Sequence, residues 1–228
     1  MVYQSWLEAL NLNDENELLN LIEKIYHKLE AKSNQISPKY NDLIKLMKIF
    51  DLNKTKVIIL GQDPYPTINQ ADGIAFSSSN GKLPKSLKNI FVELKKDYPL
   101  VQIESYNLTN WLAQGILLLN IIWTVDINKP LSHKNEGWEE LTQKILEHII
   151  KKQEKILIFL FGKKVQDFFN KNIVIKETKE IKIVELSHPS PLSYSRGKTP
   201  FKDSQIFKLI NQFYEKTPIN FDLKERKQ

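Results

Sequence analysis

Lys56-Val57-Ile58-Ile59-Leu60 runs directly into Gly61-Gln62-Asp63-Pro64-Tyr65-Pro66, and the reading of this pair decides the fold. A short, almost uninterrupted branched-aliphatic run that stops at glycine and proline reads as a strand buried on both faces. The pattern recurs. Ile116-Leu117-Leu118-Leu119 ends at Asn120, Ile156-Leu157-Ile158-Phe159-Leu160-Phe161 ends at Gly162, and Lys182-Ile183-Val184-Glu185-Leu186 leads to His188-Pro189-Ser190-Pro191-Leu192-Ser193. Stretches of helical period separate these runs, so the expected class is α/β with a mostly parallel sheet covered on both faces.

Ligands of such sheets bind beyond the carboxyl ends of the strands, where the connections leave a crevice. Asp63, Asn120, Gly162 and His188 all fall at that end. Any one of them alone would be an ordinary strand-ending turn. A carboxylate, an amide and an imidazole on converging, proline-stiffened loops instead point to a built site.

The helices read outward from the same pattern. Asp14 caps a stretch whose apolar positions are Leu18, Leu19, Leu21, Ile22, Ile25 and Leu29. Amphipathic periodicity also marks Pro38 to Phe50, Ser86 to Lys96, Trp138 to Lys151 and Phe201 to Tyr214. No Pro/Gly/Ser-rich linker divides the 228 residues, and 41% apolar content is enough for one substantial core, so a single domain over 1–228 is expected, with a flexible basic tail at 224–228.

Composition excludes some chemistries. The chain has no cysteine, which removes disulfides, thiolate metal sites and cysteine nucleophiles. His27, His133, His148 and His188 are too dispersed to announce a metal cluster. No uncharged run is long enough to cross a bilayer and no leader pattern opens the chain, so a soluble protein that is not secreted is expected. The net charge of +6 favours a polyanionic partner without deciding the matter. Of the 33 Lys and Arg residues only Arg196 and Arg226 are arginine, and Arg196 lies three residues after Ser193, where a forked guanidinium suits a phosphate oxygen.

Five blocks then carry a resemblance: Gly61-Gln62-Asp63-Pro64-Tyr65; Gly73-Ile74-Ala75-Phe76-Ser77; Gly115 to Asn120; Ser132-His133-Lys134 with Gly137-Trp138-Glu139; and His188-Pro189-Ser190-Pro191-Leu192-Ser193. In order and approximate spacing they resemble the family 1 uracil-DNA glycosylases, over almost the whole chain. The resemblance implies a three-layer α/β/α domain around a four-stranded, mostly parallel sheet. It implies a monomeric, cofactor-free hydrolase of base excision repair, in the cytoplasm or wherever the host genome resides, that flips deoxyuridine out of single- or double-stranded DNA and hydrolyses its N-glycosidic bond. It also implies a proteinaceous inhibitor as a partner, and no metal or membrane.

By the same resemblance Asp63 and His188 are the catalytic pair, and Gln62, Tyr65, Phe76 and Asn120 form the uracil pocket. Ser86, Ser190 and Ser193 grip the DNA backbone, Leu192 enters the vacated stack, and Arg196 and Lys163 supply charge to the DNA. The chain departs from the family in four places: Pro66 in place of the usual His, a proline-rich loop reduced to Leu83-Pro84-Lys85-Ser86, Gly162-Lys163-Lys164 in place of Gly-Ser, and an aromatic moved to Tyr194. The alternative is a glycosylase-fold DNA-binding or scaffold protein with impaired turnover. A Ser190–His188 hydrolase dyad has no Gly-x-Ser-x-Gly elbow to support it.

Overall fold

The computed structural model describes residues 3–33, 35–175 and 180–224. In chain order it contains α1 (Tyr3–Leu10), α2 (Glu15–Glu30), β1 (Ile36–Ser37), α3 (Tyr40–Leu43), α4 (Lys45–Ile49), β2 (Val57–Gly61), α5 (Lys85–Asp97), α6 (Thr109–Leu112), β3 (Ile116–Asn120), β4 (Val125–Asp126), α7 (Trp138–Lys152), β5 (Lys155–Phe161), α8 (Lys163–Asn172), β6 (Glu180–Leu186) and α9 (Ile206–Phe213). The basic tail expected at 224–228 lies, beyond Lys224, outside the described residues.

Four strands form the main sheet in the order β3-β2-β5-β6, every pair parallel. All five residues of β2 are buried, so neither face of the sheet centre meets water. Among the helices α1 packs on α7 and α5 on α9, while α6 packs on β3 and α8 on β5. β1 and β4 form a small antiparallel pair apart from the main sheet. Among the described residues no helix is long and apolar enough to cross a membrane.

The strand order places the site. From β2 the chain moves outward to β3, then crosses back to the other side of β2 to lay down β5 and β6. The direction reverses between β2 and β5, and a crevice opens where connections leave in opposite senses at the carboxyl ends of two neighbouring strands. Gly61-Gln62-Asp63 and Gly162-Lys163 stand at those two ends.

Three expectations need correction. The run 182–186 is not a buried strand: β6 is the sheet's edge, paired only with β5, and of its seven residues only Leu186 is buried. Glu180, Lys182, Ile183 and Glu185 are exposed, while Ile181 and Val184 are partly buried against the core, as suits an edge strand that carries charge. The stretch from Pro38 to Phe50 is two short helices that meet at Ile44, and the last helix begins at Ile206 because Gln205 adopts a left-handed φ of 53°. The expected cap at Asp14 is present, its carboxylate accepting from the Glu17 N–H at 2.9 Å.

Candidate active site

The twelve side chains singled out in the sequence line one cleft of about 1120 Å³ at the switch point. Gln62, Asp63, Tyr65 and Phe76 all come from the connection between β2 and α5, and Asn120 ends β3. Ser86 lies in the first turn of α5 rather than on a loop, and Lys163 opens α8. His188, Ser190, Leu192, Ser193 and Arg196 come from the segment after β6.

Asp63 is held from two sides. Its Oδ1 accepts from Gln62 Nε2 at 2.8 Å and its Oδ2 from the Leu131 backbone N–H at 2.7 Å. Burial pushes its carboxyl above the usual range, although these bonds and the Lys164 charge oppose the shift. The Leu131 donor was not legible in the sequence, because a backbone N–H leaves no side-chain signal. Its neighbours did leave one, in the Ser132-His133-Lys134 block. Trp138 Nε1 donates to Thr124 Oγ1 at 2.7 Å, Thr124 Oγ1 meets His133 Nδ1 at 2.8 Å, and His133 Nε2 meets Asp126 Oδ1 at 2.9 Å. With a neutral ring this chain reads in one direction, Trp to Thr to His to Asp, and it fixes the turn that presents Leu131. The turn also reaches the Asp63 loop directly, since Asn128 N–H donates to the carbonyl of Pro66 at 2.8 Å.

His188 is half-buried and made neutral by its surroundings: burial lowers its pKa to about 4. Ser190 N–H donates to Nδ1 at 3.0 Å, which leaves the ring proton on Nε2. Gly162 makes room for it. A Cβ there would lie 3.1 Å from His188 Cβ, and the glycine φ of 96° is one that other residues rarely adopt.

Asn120 and Phe76 meet across Gly61. A Cβ on Gly61 would lie 2.3 Å from Asn120 Oδ1 and 3.1 Å from the Phe76 ring. Parallel pairing sets Gly61 opposite Asn120, and Ile121 N–H and Ile122 N–H continue the alignment onto the carbonyls of Gly61 and Gln62, both at 3.0 Å. Phe76 has a φ of 65°, uncommon for so bulky a residue, and its ring lies 5.7 Å from that of Phe161 and 5.9 Å from that of His188. Two groups hold this strained backbone. Tyr65 Oη donates to the Phe76 carbonyl at 3.0 Å. The buried Asp72 accepts from Ser77 Oγ at 2.6 Å and Asn107 Nδ2 at 2.8 Å, locking the turn around Gly73. Asp72 was missed, its only sequence signal being an Asp-Gly pair.

On the outer rim Leu192 is 76% exposed, an aliphatic side chain standing in solvent. Lys164 and Lys198 line the cleft as well as Lys163 and Arg196. The Lys163 ammonium pairs with Asp167 at 2.9 Å, but both groups are largely exposed and the pair is weak enough to exchange.

The model of the uracil DNA glycosylase superfamily matches residues 47–214, most of the chain and every block that builds the cleft. The chain belongs to this superfamily. The uracil-DNA glycosylase of Mycoplasmopsis pulmonis is 46% identical over 197 residues, covering 85% of this chain and 86% of the relative. Among solved structures, mimivirus uracil-DNA glycosylase superposes with a TM-score of 0.80 at 26% identity, covering 97% of this chain and 86% of the viral one. A substituted form of the mimivirus protein, solved in complex with UGI, gives a TM-score of 0.77 at 26% identity over 89% of this chain and 82% of its own. The α/β architecture with a central four-stranded parallel sheet is thus that of the glycosylase superfamily.

Proposed function

We propose that the cleft receives a deoxyuridine extruded from DNA and that Asp63 and His188 cleave its N-glycosidic bond by hydrolysis. Family membership makes the chain a uracil-DNA glycosylase, an enzyme of DNA repair. The observation that carries the site assignment is the convergence of Asp63, Asn120, Phe76 and His188 at the switch point, with Gly61 and Gly162 leaving them space.

A base inside a duplex is out of reach, so the enzyme must offset a few kcal/mol of unstacking with new contacts. Leu192 enters the stack from the rim. Ser86, Ser190 and Ser193 hold the phosphates on either side, and Arg196 with Lys163 at the start of α8 adds charge. The Phe76 ring stacks on the uracil and the Asn120 amide pairs with its Watson–Crick edge. Cytosine has the reversed donor and acceptor pattern and leaves those groups unpaired. Tyr65 excludes the thymine methyl by contact.

As the C1′–N1 bond lengthens, positive charge grows on the sugar and negative charge on uracil, as in other glycoside hydrolyses. Asp63 stabilises the sugar and positions the water whose oxygen bonds to C1′, with Gln62 placing Asp63 and lining the same space. Neutral His188 donates from Nε2 to the uracil oxygen as it becomes anionic. The uracil leaves as the anion and takes up a proton, and the phosphodiesters stay intact.

The partner is uracil-containing DNA, and an inhibitor protein such as the UGI bound by the mimivirus relative is a second candidate partner. A monomer acting in the compartment of the host genome suffices for this chemistry. Chromatographic detection of free uracil from uracil-containing strands, with none of the base freed from cytosine- or thymine-containing strands, tests the reading.

A further inference from the structure

Helix α5 carries a buried acid that the chemistry above does not use. The Glu93 side chain is 2% exposed. It sits on one stripe of α5 with Ser86, Asn89 and Lys96, whose spacing of three and four residues aligns them along the helix. At the near end Ser86 lines the cleft. Next along the stripe, Asn89 Nδ2 donates to the carbonyl of Pro189 at 2.7 Å. Glu93 then accepts from the Tyr194 hydroxyl and from Lys96 Nζ at 2.8 Å on one oxygen, and from the Asp203 N–H at 2.8 Å on the other. Lys96 also reaches Asp203 Oδ1 at 2.7 Å. Burial and the Glu93 carboxylate push the Tyr194 hydroxyl up to about 12, so it remains a donor.

These bonds end on both sides of one short turn. Pro189 and Tyr194 flank Ser190 to Ser193, and the turn closes on itself through the Ser193 and Tyr194 N–H groups, which donate to the Ser190 carbonyl at 2.9 and 2.8 Å. Leu192 lies inside the turn and is exposed. A side chain that pushes bases apart works against the stacking energy, and a turn free to fold back would yield instead of the duplex. Tying both ends of the turn to a helix removes that freedom before DNA arrives.

We infer that Glu93 and Tyr194 are positioning residues for duplex invasion: they lock the Leu192 turn onto α5, so that the helix start bearing Ser86 and the turn bearing Leu192 meet DNA as one rigid body. The aromatic displaced to position 194, directly after Ser193, is the clasp. This rests on the reading of Leu192 as the intruding residue.

Single-turnover excision is measured on a one-uracil oligonucleotide, single-stranded and duplex, for the parent chain, Tyr194→Phe, Leu192→Ala and the double variant. Tyr194→Phe keeps the ring and loses only the hydroxyl. It should lower excision from duplex by about tenfold and leave single-strand excision within about twofold, the scale of a lost bond to a charged acceptor. Single-strand excision reports folding in the same experiment. Because both residues act through one insertion, the double variant should match Leu192→Ala in its duplex to single-strand ratio. If Leu192→Ala shifts the ratio while Tyr194→Phe leaves it unchanged, or if the two effects multiply, the clasp is overturned and the role of Leu192 survives. If Leu192→Ala itself leaves the ratio unchanged, both the intruding role and the clasp are overturned.

Discussion

The backbone N–H of Ser190 donates to Nδ1 of His188 at 3.0 Å, so the loop proposed to hold a DNA phosphate also sets the imidazole tautomer. The bond leaves Nε2 as the donor, and burial keeps the ring neutral down to about pH 4. In the proposed mechanism a cation there would bind the departing uracil anion more strongly, but burial disfavours the charged ring before the anion forms.

The pH dependence follows from that shift. The folded-state pKa lies below that of an exposed histidine, about 6.5. The neutral ring therefore supports folding fully above about pH 6.5, and that support is lost as pH falls toward 4. Nitrogen NMR of His188 should show the neutral Nε2–H tautomer at pH 5.5, and excision should show no acid limb near 6.5. A ring that charges at pH 6 to 7 contradicts the assignment.

Asp63→Asn separates chemistry from stability. Turnover should fall by about 10²–10³-fold or more with DNA binding retained, as for loss of other electrostatic groups at a reacting centre. The raised pKa means that ionised Asp63 opposes folding above its folded-state pKa, while below the unfolded value of about 3.8 both states are protonated and the penalty vanishes. Thermal melts should show the variant more stable at pH 7, with the gain disappearing toward pH 3. Wild-type turnover in this variant would remove Asp63 from the mechanism.

Gly61→Ala tests the pocket without removing a polar group. The added methyl meets Asn120 Oδ1 at 2.3 Å and the Phe76 ring at 3.1 Å, so one of them must leave its place. Overpacking of this kind costs about 1–3 kcal/mol. Uracil excision and inhibition by free uracil should weaken together, by about tenfold or more. Unchanged affinity for free uracil would place the base elsewhere.

Tyr65→Phe keeps the wall and removes the hydroxyl that holds the Phe76 carbonyl at 3.0 Å. Uracil excision should drop by about tenfold, the scale of one lost hydrogen bond, while thymine is still rejected. Thymine release by this variant would show that the hydroxyl, and not the ring, excludes the methyl.

What the sequence made legible divides along physical lines. Asp63, Asn120 and His188 could be read as one group because each lies at or just beyond the carboxyl end of a strand, and those ends converge in a parallel sheet. The edge position of β6 was hidden because Ile183-Val184 resembles a buried run, although Ile183 is 38% exposed. The start of α8 at Lys163 is not legible, because its N-cap Gly162 offers no side-chain cap and its first residues are charged. The Leu131 N–H is a backbone donor, and Glu93 is a charged residue on an otherwise ordinary amphipathic helix. Only tertiary packing turns either into part of the site.

The most direct measurement is incubation of an end-labelled oligonucleotide carrying one uracil with the purified protein in EDTA, followed by alkaline cleavage at abasic sites. Thymine- and cytosine-containing strands are run in parallel. Cleavage at the uracil position alone, abolished by Asp63→Asn, is the expected result. Intact uracil-containing DNA that the protein nevertheless binds would contradict the account and leave a DNA-binding protein on a glycosylase fold.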